Sequence, residues 1–276
     1  MTQRELISIV DAASGTSASI APWRGALVTS FQVRGEEVLY LDQETLEDER
    51  KNVRGGIPVL FPSPGKLTDD RWQCDGQGGS MKQHGFARIQ AWDVSTRAVD
   101  SLTLQLSSDA TTLAQYPWAF SATLQVSVSP ARLRLDMTLE NRDSRAMPFA
   151  LGYHPYFVVG YKRHSTITSD ATRAFDNVTK KAGAFDGHFD LTSDELDLHL
   201  LDQTAHRMTL RREEGGEIEV SASDAFAYWV VWTLKAKGFV CVEPWTAPAN
   251  ALNSGEHLLR LAPGKQHRSF MEIAFR

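Results

Sequence analysis

Three stretches of this 276-residue chain set a titratable side chain where the backbone is constrained. In "MKQHGFAR", residues 81–88, His84 stands between Gln83 and Gly85, where the chain can turn sharply or admit a ligand closely. In "LGYHPYF", residues 151–157, His154 precedes Pro155, which biases it to extended backbone, and lies between Tyr153 and Tyr156. In "GFVCVEPW", residues 238–245, Glu243 ends an apolar run just before Pro244. An imidazole titrates near neutral pH and suits proton transfer. A carboxyl ending a buried strand is costly unless paired or used, and burial moves its pKa up towards the working pH of a general base. Each residue alone also has a plainer reading: His84 as a hydrogen-bonded structural histidine, His154 as a packed one, Glu243 as a strand-end surface charge.

Other chemistries find little support. The eight histidines are scattered, with no H-x-x-x-H or E-x-x-H pair, so no metal site is expected. Cys74 and Cys241 are too few for a disulfide framework or a four-thiolate site and read as reduced thiols. "GQGGS", residues 76–80, follows "RWQCD" rather than an apolar strand, so it is a glycine loop and not a dinucleotide or phosphate cradle. No G-x-S-x-G nucleophile elbow occurs.

The elements that must position these residues repeat with period two. In residues 121–129, Ala122, Leu124, Val126 and Val128 alternate with polar neighbours; in 132–141, Leu133, Leu135, Met137 and Leu139 do the same. Leu102, Leu104 and Leu106 repeat the pattern. Strict alternation means one buried and one wet face, as in antiparallel sheet. In the Glu243 run, Val240 and Val242 share one face, Cys241 and Glu243 the other. Helical signal is thin: one turn is expected in 111–118 and another in 190–198. The expected class is all-β, a large antiparallel β-sandwich, with residues 1–276 as a single domain. Residues 51–92, rich in glycine and proline yet carrying Phe61, Trp72, Phe86 and Trp92, are expected to be an ordered loop that builds a site.

Four fragments in this order carry a resemblance: "RGGIPVLFP" (54–62), "QHGFAR" (83–88), "GYHPYF" (152–157) and "EPWTAPANALN" (243–253). Together they resemble the aldose 1-epimerase (mutarotase) family, including its hexose-6-phosphate 1-epimerase branch. The resemblance implies a galactose-mutarotase-like supersandwich with sugar bound across a concave sheet face. It implies Glu243 as general base, His154 as general acid and His84 as the histidine that holds the ring. Arg54, Gln83 and Arg88 match substrate contacts of the phosphate branch. Asp197 falls where that branch has an aspartate, although Leu198 and His199 replace the Arg-aromatic pair that follows it there. "LFPSPG" and "GYHPYF" also depart from the phosphate branch, towards a free aldose.

The chemistry so implied is interconversion of the α and β anomers of a hexose: a base takes the C1 hydroxyl proton while an acid protonates the ring oxygen. No cofactor is needed. Trp72, Trp245 or Tyr156 is expected to stack on the sugar. Arg54, Lys66, Arg71, Lys82 and Arg88 all fall in 51–92, where Arg54 and Arg88 are the candidates for a phosphate and Lys66 and Lys82 read as surface charges. The alternatives are a hexose-6-phosphate 1-epimerase and a non-catalytic carbohydrate-binding or sensing protein of the same fold. A net charge of −5 without a basic run gives no footprint for nucleic acid. No apolar run is long enough for a membrane span, and no signal peptide is recognisable, so the expected setting is cytoplasmic. The expected partner is a small-molecule sugar, with oligomeric state open.

Overall fold

The computed structural model describes residues 4–276. Two eight-stranded antiparallel sheets dominate. The first runs Thr166–Thr168, Arg207–Arg211, Glu217–Ala222, Gln266–Phe275, Arg132–Asn141, Phe120–Ser129, Ser101–Ser107 and Asp93–Arg97. The second runs Lys181–Ala184, Arg173–Asp176, Glu195–Leu200, Tyr228–Leu234, Phe239–Trp245, Gly152–Tyr153 and Val59–Leu60, with Tyr156–Val158 also paired to Phe239–Trp245. A smaller sheet of four strands begins at Ile7–Asp11. Among the described residues the α-helices are Gln43–Glu47, Ala110–Gln115 and Ala251–Ser254, and no helix is long and apolar enough to cross a membrane.

The alternating strands fold as their pattern dictates. Leu124, Val126, Leu133 and Leu135 are fully buried while their polar neighbours face outwards. In the second sheet Trp229, Val231, Val240 and Val242 face the same core cluster. One hydrophobic core therefore draws on both sheets, and the far face of the second sheet carries Glu195, Asp197, His199, Val230, Trp232, Glu243 and Trp245.

The helical turn expected in 111–118 is present as Ala110–Gln115, capped by Asp109. The turn expected in 190–198 is not. Asp190 accepts hydrogen bonds from Thr192 and Ser193 in a local turn, and Glu195–Leu200 is a strand. Side chain-to-backbone bonding by Asp competes with helix, and Leu196, Leu198 and Leu200 alternate as a strand requires.

Residues 51–92 are ordered, as expected, and their aromatic anchors hold them. Phe61, Trp72, Phe86 and Trp92 are all buried. Phe61 packs on Phe120 at 5.1 Å, Phe86 stacks on Phe120 at 5.9 Å, and Trp72 meets Trp118 at 5.6 Å. "GQGGS" is no loop: Gln77–Ser80 pairs with Arg71–Cys74 as a hairpin. His84 and Gly85 both take left-handed backbone, at φ 72°. A Cβ on Gly85 would sit 2.2 Å from the Phe61 carbonyl oxygen, which receives the amides of Phe86 and Ala87.

Gly85→Ala is therefore expected to cost at least about 1–3 kcal/mol from backbone strain, before the clash is counted. Thermal unfolding checks this; an unchanged Tm would show that the turn relaxes freely.

Candidate active site

The second sheet aligns its outward side chains in register. His199 lies opposite Val230, and Val230 opposite Glu243. One step along the strands, Asp197, Trp232, Cys241 and Tyr156 form a second row. The segment 51–92 and the His154 turn close over these rows, leaving a cleft of about 350 Å³. That is the size of a small-molecule site. Its lining includes Arg54, Gln83, Arg88, His84, His154, Asp197 and Glu243, so all seven residues picked from the sequence come together.

Glu243 is 1% exposed. Its Oε2 accepts a hydrogen bond from Trp245 Nε1 at 3.1 Å, and its Oε1 lies 3.3 Å from His154 Nε2. Burial, reinforced by the nearby Asp197 charge, holds the carboxyl well above its ordinary range. His154 stacks on Tyr156 at 4.6 Å with 6° between the rings, and Trp232 meets it edge-on at 5.7 Å. Its Nδ1 is buried without a partner among the described residues, so Nε2 is the nitrogen left for chemistry. Burial, then the guanidiniums of Arg88 and Arg54, press this imidazole towards its neutral form.

His84 is held differently. Its amide donates to the Gly65 carbonyl at 2.8 Å, and the Gly65 amide donates back to His84 Nδ1 at 3.1 Å. Nδ1 is thus an acceptor, which puts the ring proton on Nε2, 3.1 Å from the Gln83 side-chain amide, whose oxygen must face it to accept. Burial, the neighbouring His154 and the two arginines all oppose a second proton. His84 is a neutral, fixed hydrogen-bond donor. A Cβ on Gly65 would meet that of Ala249 at 2.5 Å, so this reciprocal pairing needs glycine there.

Arg88 donates to the Gln83 carbonyl at 2.8 Å, while its Nε is buried and unpartnered among the described residues. Burial lowers its pKa to about 10, so it remains cationic at neutral pH. Arg54 lies over the Trp232 ring at 5.3 Å. Lys66, read from sequence as a surface charge, lines the cleft. Lys82 is on the surface, paired with Asp70, and Arg71 is outside the cleft. Trp72 is also outside: it packs in the core and donates to the Gln115 carbonyl, so it cannot stack on a cleft ligand. Tyr156, Trp232 and Trp245 are the aromatics that line the cleft.

Sequence reasoning missed Asn177, Lys180, Glu195, His199 and Trp232, which also line it. Alternation in "ELDLHL" put Glu195, Asp197 and His199 on one face, and was the signal available. It also missed that His154, Cys241 and Glu243 bring ligating atoms within 4.8 Å of one another. A soft metal accepts such donors, but a thiol must ionise to ligate. Burial and Glu243 push the Cys241 thiol well up, against that.

A family model for aldose 1-epimerase matches residues 5–274. The chain belongs to the aldose 1-epimerase family. It is thus an enzyme of the isomerase class. The Slr1438 protein of Synechocystis sp. PCC 6803 is similar over 99% of this chain and 96% of its own, with 35% identity and a TM-score of 0.96. A galactose mutarotase-like protein of Lactobacillus casei ATCC 334 shares the fold, with a TM-score of 0.82 at 23% identity, over 99% of this chain and all of its own. A Cenchrus ciliaris protein provisionally named glucose-6-phosphate 1-epimerase is 29% identical over 150 residues. That match spans 49% of this chain and 42% of the relative, less than half its length. The sandwich expected from the alternating strands is the galactose mutarotase-like fold.

If the Glu243–His154 pair carries the proton exchange of an aldose 1-epimerase, the active form holds one proton on the pair. Depressing the imidazole and raising the carboxyl move the two limbs apart, so activity should be a broad bell in pH. Its alkaline limb is loss of the pair's only proton. Because the Asp197 charge opposes ionisation of Glu243, Asp197→Asn should move that limb to lower pH. Anomer-exchange rates against pH, corrected for the uncatalysed rate, check this; an unmoved limb would remove Asp197 from the control of Glu243.

Proposed function

We propose that the chain interconverts the α and β anomers of a hexose, with Glu243 as general base, His154 as general acid and His84 as a fixed donor to the ring. The observation that carries this is the buried Glu243–His154 pair, with oxygen and nitrogen 3.3 Å apart at the floor of the cleft. The two sugar oxygens that must exchange protons share one carbon, C1, so acid and base have to be neighbours. Glu243 takes the proton from O1 while His154 Nε2 gives one to O5. The C1–O5 bond breaks and C1=O1 forms. Rotation about C1–C2 presents the other face of C1. The reverse transfers then close the ring, and the protons return to where they began. His84, with its proton fixed on Nε2, supports the oxygen that gains charge without itself titrating.

A phosphorylated hexose is a second reading with its own support. C5 carries both O5 and C6. If O5 sits at His154, the C6 substituent must lie beside the groups that surround His154, and Arg54 and Arg88 are close enough to depress that imidazole. The unpartnered Nε of Arg88 is a charge-assisted donor without an acceptor. A phosphate dianion there would also offset the field that holds His154 neutral. The name of the Cenchrus ciliaris relative agrees with this reading.

Glu243→Gln should slow anomer exchange by about 10²–10⁴-fold with the fold retained. Polarimetry and a melting curve test it, and a near-normal rate would remove Glu243 as base. Arg88→Ala should raise KM for glucose 6-phosphate by about tenfold or more while sparing glucose. Equal losses on both sugars would end the phosphate reading. Chelation should leave the rate unchanged; a loss in EDTA that zinc restores would overturn the metal-free mechanism.

A further inference from the structure

The cleft has a second polar cluster, across the floor from Glu243 and His154, that the proton transfers do not use. His199 Nε2 lies 3.2 Å from Asp197 Oδ1. The other oxygen of Asp197 is taken: Asn177 Nδ2 donates to Oδ2 at 2.6 Å, and the Asn177 amide donates to the Asp197 carbonyl at 2.8 Å. The Asn177 side chain is itself tied to Lys180 Nζ at 2.6 Å. His199 is held edge-on against Trp245 at 5.3 Å and Phe175 at 6.1 Å. Asp197 Oδ1 and the imidazole thus stand rigid and side by side, one an acceptor and the other able to donate.

A hydroxyl is the group that satisfies both, since it donates to a carboxylate and accepts from an N–H in the same place. Its position in the sugar follows from sheet geometry. His199, Val230 and Glu243 are in register on three adjacent strands. Two strand spacings of about 4.8 Å separate the outer two, with the short apolar Val230 between them as a floor. A pyranose that spans this row with C1 at Glu243 and O5 at His154 turns its opposite edge to His199. The ring atoms opposite C1 and O5 are C4 and C3.

We propose that His199, held against Trp245 and Phe175 beside Asp197, is a specificity-determining residue that reads the hydroxyls on the C3–C4 edge of the hexose. This rests on the epimerase reading for the placement of C1. Asp197 has a double part: its Oδ1 faces the hydroxyl, and its Oδ2 fixes the Asn177–Lys180 turn at the cleft wall. A site built to hydrogen-bond a hydroxyl discriminates strongly against its absence, because the buried partners are left unpaired.

The test is a double-mutant cycle between protein and sugar, using glucose and its 2-deoxy, 3-deoxy and 4-deoxy analogues, or their 6-phosphates if those are the better substrates. Wild type, His199→Ala and the hydrogen-bonding variant His199→Gln are compared by kcat/KM and by tryptophan fluorescence on binding. Wild type should lose roughly tenfold or more on the 3-deoxy or 4-deoxy sugar. His199→Ala should show little further loss on that sugar, His199→Gln should restore part of the discrimination, and the 2-deoxy sugar should show no coupling. Additive losses at both C3 and C4, or coupling at C2 alone, would overturn the inference. If wild type binds sugars without exchanging anomers, the epimerase reading fails and the same cycle is decided on affinities. If it binds no hexose or hexose phosphate, both fall.

Discussion

The structure turns on a carboxyl that is only 1% exposed at the floor of the cleft. Glu243 lies on a strand, Phe239–Trp245, whose every residue is buried. A polar group so placed costs several kcal/mol if left unpaired, and a bare charge costs more. The chain answers with two partners, the indole of Trp245 and the imidazole of His154. The neighbouring Asp197 then works against ionisation instead of for it. A purely structural acid would be served by a cation at that distance. The arginines instead stand on the histidine side of the cleft, where they press His154 towards neutrality. Burial first, and these charges with it, disfavour the ionised form of each member of the pair.

Holding that pair requires stiffness on both sides of the cleft. The sheet supplies one side, because register fixes His199, Val230 and Glu243 in a row and sends the alternate residues into the core. The other side comes from residues 51–92, which have little regular structure of their own. Their rigidity is borrowed from the aromatic cluster around Phe61, Phe86, Tyr116 and Phe120, and from Gly85, whose missing side chain lets the chain lie against Phe61. His84 is therefore delivered by a tight turn anchored in the core. Its reciprocal bonds with Gly65 leave it one tautomer and one role.

Legibility in the sequence follows the asymmetry of each element's surroundings. Phe120–Ser129 and Arg132–Asn141 have one face in the core and one in water, so their alternation is plain. Phe239–Trp245 is covered on both faces and shows no alternation, yet Glu243 stands out because a lone charge in an apolar run needs a reason. The same logic marks His84 and His154 through the glycine and proline beside them. Pairings between distant segments leave no such mark. Nothing near Gly65 says that it will set the tautomer of His84, and nothing near Cys241 says that it will lie beside His154. Asp197 and His199 had the right alternation, but the Asp190 turn that precedes them carries Asp and Ser, residues that equally announce a helix start. Trp72 misled for the opposite reason: an aromatic in a site-building segment serves the core that holds the segment as readily as the ligand.

Burial of the pair has a consequence for the proposed ring opening. A carboxylate that is hard to keep ionised is a stronger base, and an imidazolium that is hard to keep protonated is a stronger acid. One desolvated environment strengthens both at once. Transfer of a proton from O1 to Glu243 and of another from His154 to O5 discharges both groups in the same event. The open-chain aldehyde then sits over a neutral carboxylic acid and a neutral imidazole, the state that burial favours. Measured from the neutral resting pair, burial makes the charged pair costly to form and returns that cost when the two transfers discharge it, so it sharpens both transfers without favouring opening over closure. A cleft that solvated Glu243 and His154 well would lower the cost of that pair and, by the same amount, blunt both proton transfers. The near-complete exclusion of water from Glu243, at 1% exposure, places this site at the other extreme.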